Sequence, residues 1–210
     1  MKVMKSYNTL NDYYRKLFGE KTFKVPIDAG FDCPNRDGTV AHGGCTFCTV
    51  SGSGDAIVAP DAPIREQFYK EIDFMHRKWP DVQKYLVYFQ NFTNTHEKVE
   101  VIRERRLMGA KAGIGGTYGA MPELFLKLNQ LIADKDLETA RELQYAINAI
   151  IGKLTSAHGN MYGVIKEVLK INEGLTIGSV RSPLTPVTEE DRPVVEAAAA
   201  LIRETKECFL

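Results

Sequence analysis

The sequence predicts an α/β fold, with about three short parallel strands in a front half followed by a mostly helical C-terminal half. Three observations predict it. Up to about residue 106, apolar runs of strand length alternate with amphipathic stretches, the order that gives a parallel sheet. From residue 121 onward nearly every apolar residue falls on a three- or four-residue step. Between them, residues 28–60 show neither period, and a loop of that length inside a compact domain marks function.

The elements follow in order. Leu10, Tyr13, Tyr14, Leu17 and Phe18 make one face of a helix over about 8–18, with Gly19 as its stop. Phe23, Val25 and Ile27 alternate with polar residues or Pro26, a short strand whose proline belongs near its start or on an edge. Asp61 is the expected N-cap of a helix with Pro63 in its first turn. That helix carries Ile64, Phe68, Ile72, Met75 and Trp79 on one face and ends at Pro80. The unbroken run Tyr85, Leu86, Val87, Tyr88, Phe89 reads as a strand buried on both faces. A charged helix is expected from about His96 to Arg106, and residues 110–115 read as a third strand ending in a glycine turn.

Behind it come three helical stripes. Leu124, Phe125, Leu128, Leu131 and Ile132 form the first. Leu137, Ala140, Leu143, Ile147, Ile150, Ile151 and Leu154 form the second. Met161, Val164, Ile165, Val168 and Leu169 form the third. Thr188 caps a last helix that runs to about Lys206. The change of character near 103–108 divides the chain into 1–106 and 107–210.

The 210 residues hold 27 basic and 27 acidic side chains, so the formal net charge is zero. That argues against nucleic acid held by bulk electrostatics. No apolar run approaches the roughly 18–20 residues that span a bilayer. The first residues lack the apolar stretch of a secretory signal, which makes the cytosol the expected address.

Cys33, Cys45 and Cys48 share the loop in the spacing C-x11-C-x2-C, among glycines. Three thiolates in such a loop suit an iron–sulfur cluster with one open iron. Zinc is the alternative, with His42 as a fourth ligand. A third reading leaves the cysteines as small buried hydrophobes, against which stand their Gly, Asn and Asp neighbours.

These residues carry a resemblance. With the segments 27–39, 43–48 and 88–93, residues 7–106 resemble the start of a radical S-adenosylmethionine (SAM) protein of the YhcC-like, Elp3-related group. The resemblance implies a [4Fe-4S] cluster on Cys33, Cys45 and Cys48, and S-adenosylmethionine as the small-molecule cofactor on its open iron. It implies that Phe47 packs near the adenine and that Gln90 and Asn91 lie near the methionine amino group. For Phe47 and Gln90 the alternative is ordinary loop packing.

A second resemblance covers residues 108–206. The segments 109–118, 137–144, 161–166 and 181–184 are similar to the C-terminal part of the N-acetylneuraminate lyase and dihydrodipicolinate synthase family of class I aldolases. In that family the region is the last barrel strand, its helix and a helical extension. The family's Schiff-base lysine lies upstream of the matching region, and neither Lys111 nor Lys166 occupies its place. Gly116 stands where a serine often touches substrate.

Both families build β/α barrels, and three strands cannot close one. The two resemblances together therefore imply an incomplete β/α-barrel fragment with a seam near 105–107. The expected function is that of a [4Fe-4S]- and SAM-binding radical SAM-type fragment without complete catalytic activity. The alternatives are a lyase-like class I aldolase lacking its Schiff-base lysine, and a zinc-binding or non-enzymatic helical fragment. Apolar faces left without their parent strands imply self-association.

Overall fold

The structure, a computed structural model, describes residues 7–40, 42–45, 48–52, 56–107 and 112–210. The chain divides into two compact units, Met1–Ala110 and Lys111–Leu210.

In the first unit, helix α1 (Leu10–Phe18) starts where the Thr9 hydroxyl accepts from the Asp12 amide at 3.1 Å, and it ends at Gly19 with φ +80°. None of its residues is buried. Strand β1 (Thr22–Ile27) and strand β2 (Lys84–Phe89) pair in parallel, with Phe23 opposite Tyr85, Val25 opposite Val87 and Ile27 opposite Phe89. Parallel pairing requires a crossover, and helix α2 (Ile64–His76) lies within it. Strand alternation buries Phe23, Val25 and Ile27. Ile64, Phe68, Ile72 and Met75 of α2 pack against them, four residues that recur at helical steps on one face. Helix α3 (Val99–Leu107) follows.

Four details correct the expectations. The helix begins after Pro63, not at Asp61, and no side chain caps it. It stops at His76, so Trp79 lies beyond the helical face and instead packs on Phe23, ring centroids 5.2 Å apart. Strand β2 is not buried on both faces, and Val87 is about half exposed. The reason is the count of strands: two among the described residues, not three, with α2 covering one face. Of the expected third strand, 112–115 form no ladder and 110–111 lie outside the described residues.

The second unit is helical, as its stripes predict. Helices α4 (Pro122–Ala133), α5 (Leu137–Leu154), α6 (Met161–Glu173) and α7 (Arg192–Phe209) surround one core. Met121, Leu124, Leu143, Ile147, Ile150, Leu154, Val164, Val168, Ala198 and Ala199 are wholly buried in it. Short polar side chains set the helix starts. Asp136 accepts from the Thr139 amide at 3.2 Å and Asn160 from the Tyr162 amide at 3.0 Å. Thr188 caps a single 3-10 turn, Glu189–Asp191, that leads into α7. The buried Asp191 carboxylate accepts from the amides of His158 (2.8 Å), Thr188 (3.1 Å) and Gly159 (3.2 Å). Those amides, Thr188 and His158 foremost, hold its carboxyl below the usual range. Lys206 joins Glu123 (3.0 Å) to Glu173 (3.6 Å), tying α7 to α4 and α6. Among the described residues no helix is long and apolar enough to cross a membrane.

Candidate functional site

Two places hold the chemistry that the sequence singles out, one in each unit. In the first unit, the loop after β1 and the turn after β2 meet at the carboxyl ends of the two parallel strands. Open α/β sheets bind ligands at that end. Asp28 is the junction. Its carboxylate accepts from the Gly30 amide at 2.8 Å and from the Asn91 side-chain amide. The Gln90 amide donates to the Ile27 carbonyl at 3.0 Å, which carries the pairing one residue past the strands.

The thiols lie along this loop. Thr93 donates its hydroxyl to the Cys33 sulfur at 3.3 Å, and Asn35 donates its side-chain amide to the Cys45 sulfur at 3.5 Å. Burial pushes the Cys45 thiol up, and the neighbouring Cys33 and Cys48 thiols push it further. A thiol held protonated is a poor nucleophile. Among the described residues, no group of three or more His, Cys, Asp or Glu side chains is arranged to hold a metal ion. Phe47, expected near an adenine, lies outside the described residues.

Arg36 braces the loop. Its guanidinium donates to the Val50 carbonyl at 2.8 Å and to the Thr49 carbonyl, and it sits over the Phe92 ring at 5.2 Å. Gly44, at φ +83°, lets the backbone pass this side chain, because a Cβ there would fall 2.8 Å from Arg36 Nε. The Thr39 amide and the His96 ring hold the Asp37 carboxyl down to about 2.

Two residues central to the loop escape sequence reasoning. Gln67 is 2% exposed and ties both ends of the loop together. Its Oε1 accepts from the Asp28 amide at 2.9 Å, and its Nε2 donates to the carbonyls of Asp28 (2.9 Å), Pro60 (3.0 Å) and Ala62 (2.7 Å). Glu71, equally buried, accepts from the Val58 amide, and burial raises its carboxyl above the usual range. The signal is in the sequence. Gln67 stands three residues after Ile64 and Glu71 three after Phe68, polar side chains at apolar-face positions of α2. Asn91 is 2% exposed, and its Oδ1 has no partner among the described residues.

The second place is the glycine segment of the second unit, residues 112–116. Tyr118 lies against Phe125 of α4, ring centroids 4.1 Å apart, which fixes its ring. A Cβ at Gly115 would collide with that ring, and one at Gly113 would lie 3.1 Å from its hydroxyl. A Cβ at Gly116 would fall 2.9 Å from the Tyr162 hydroxyl. None of the three has a left-handed φ. Glycine is needed here for space beneath two tyrosines, not for a turn. Of the lysines weighed for imine chemistry, Lys111 lies outside the described residues. Lys166 donates its Nζ to the Ser179 carbonyl at 2.8 Å near the surface.

Residues 94–202 match the family described as the dihydrodipicolinate synthetase family. An N-acetylneuraminate lyase of Mediterraneibacter gnavus is 55% identical over 105 residues, which is 50% of this chain and 33% of that protein. The uncharacterized protein YtqA of Bacillus subtilis is 57% identical over 101 residues, 48% of this chain and 31% of that one. A solved structure described as a Ruminococcus gnavus sialic acid aldolase catalytic lysine mutant shares 44% identity with a TM-score of 0.50. It covers 67% of this chain and 43% of its own. The chain thus spans about a third of the length of the curated relatives it matches.

These findings correct the expectation of a radical SAM-type fragment with a [4Fe-4S] cluster and S-adenosylmethionine. The matched family is the dihydrodipicolinate synthetase family, and one of the similar solved structures is an aldolase described by its catalytic lysine. What stands is an α/β fold resembling sialic acid aldolase. Matched over more than half of its 210 residues, the chain belongs to the dihydrodipicolinate synthetase family.

Proposed function

We propose that this protein is an N-acetylneuraminate lyase-like class I aldolase homologue. Its second unit is the helical C-terminal part of that fold, and these 210 residues do not themselves form the catalytic imine. The observation that carries the reading is the family match over 94–202, with a lyase 55% identical. The chemistry supports the second half of the proposal. An imine-forming lysine must lose its proton near neutral pH, through desolvation in an apolar pocket or beside another cation. No lysine among the described residues is buried. The unit instead supplies a rigid wall: a packed helical core with a glycine segment under Tyr118 and Tyr162 at its amino end. The cytosol remains the proposed address.

Release of pyruvate from N-acetylneuraminate tests the reading. The purified chain is expected to release none above the uncatalysed background. Turnover by the chain alone would overturn the claim that the imine lysine is missing.

A further inference from the structure

We propose that the amino end of the two-stranded unit, around Lys21, Arg77, Lys78 and Trp79, binds single-stranded nucleic acid by stacking and local charge. This surface lies at the opposite end of the strands from the cysteine loop and does not rest on the aldolase reading.

Lys21 immediately precedes β1, and Arg77, Lys78 and Trp79 follow the last turn of α2. Trp79 packs on Phe23, ring centroids 5.2 Å apart, which brings the two stretches together. The Lys21 ammonium lies 4.1 Å from the indole centroid and the Lys78 ammonium 4.6 Å from it. One residue before Lys78, the Arg77 guanidinium sits 5.6 Å from the centroid of Phe74. Trp79 is 39% exposed and Phe74 52%. Among the described residues, no carboxylate pairs with Lys21, Arg77 or Lys78. Of the acidic residues on the same stretches, Glu20 takes Lys84 at 3.5 Å, and Asp73 and Asp81 are exposed.

Exposed aromatic faces interleaved with such cations suit an unpaired strand, whose bases stack while its phosphates take the cations. A base that stacks on the indole displaces one ammonium, which then meets the phosphate beside that base. The chain has no net charge, so the attraction is local and involves a few contacts. A duplex fits poorly, because its bases are already stacked and offer only their edges in the grooves. An anionic membrane is the rival partner. It takes up apolar side chains, and here the exposed rings carry cations that would have to follow them.

Trp79 is the chain's only tryptophan, so its fluorescence reads this surface directly. The full chain is titrated with an oligothymidylate of about 20 nucleotides, enough to fill one such surface. Stacking is expected to quench Trp79, in step with rising anisotropy of a labelled oligomer. Three phosphate contacts give a log–log salt slope of about −2, an affinity loss of about 20-fold between about 50 and 200 mM salt. Lys21→Ala combined with Lys78→Ala is expected to bring the slope to about −0.7 while the far-ultraviolet signal stays. Trp79→Leu keeps an apolar side chain on Phe23 but cannot stack, and should weaken binding about tenfold, whereas Trp79→Phe should restore most of it. Lys153→Ala, an exposed change on α5 of the second unit, should alter nothing. Absence of binding, binding without a quench, or an unchanged slope in the double variant overturns the proposal. So does equal affinity for a duplex of the same length, or displacement of the oligomer by an equal charge of polyglutamate. Quenching of Trp79 by phosphatidylserine vesicles, with none by the oligomer, overturns it in favour of a membrane.

Discussion

Leu143→Ala is expected to destabilise the second unit by about 2–5 kcal/mol, through lost transfer energy and the cavity left behind. Leu143 is wholly buried on α5, among Ile147, Ile150 and the Ala198–Ala199 face of α7. Small alanines there bring α7 close, which leaves the site little room to collapse. Because the chain has two units, a single global midpoint would mix two transitions. Hydrogen exchange in α5 and α7, read peptide by peptide, isolates the right one. Tyr145→Ala, on the exposed side of the same helix, should change protection by no more than about 0.5 kcal/mol. Equal effects of the two substitutions would show that α5 is packed differently.

Gln67→Ala is expected to loosen the cysteine loop more than any other single change in the first unit. It removes four hydrogen bonds and leaves the Asp28 amide and the carbonyls of Asp28, Pro60 and Ala62 without that partner. An unmatched buried polar group costs about 1–3 kcal/mol. Even one such group, at about 1.4 kcal/mol, makes the open loop about tenfold more populated. Alkylation of Cys33, Cys45 and Cys48 should accelerate accordingly. Glu66→Ala, one position away and about half exposed in a surface pair with Lys70, should leave the rate near that of the parent chain. Similar rates for Gln67→Ala and the parent chain would show that the loop ends are held by something else.

The helices of the second unit were legible because their signal is local. Stripes such as Leu143, Ile147, Ile150 and Leu154 repeat at helical period, and Asn160 and Thr188 mark starts by side chains that can accept backbone amides. Strands were less legible because a strand is a property of its neighbours. Residues 112–115, Ala-Gly-Ile-Gly, form no ladder, and β2 has the apolar run of a central strand beside a single partner. The cysteines stood out by type and spacing. Gln67 and Glu71, which close the loop on α2, were hidden by being ordinary polar residues on an otherwise apolar face. The thiol loop is recognisable by residue type and spacing alone, whereas the family match lies over residues 94–202, where the sequence shows helical stripes and no comparable cluster.

Borohydride reduction in the presence of pyruvate, followed by intact mass measurement, tests the central claim most directly. Reduction converts a pyruvate imine into a stable adduct on the lysine that formed it. A lyase-family chain whose imine lysine is absent should emerge with its mass unchanged, while the intact Mediterraneibacter gnavus lyase under the same conditions gains one adduct per chain. A stoichiometric adduct on one lysine of this protein, Lys111 or Lys166 included, would contradict the claim.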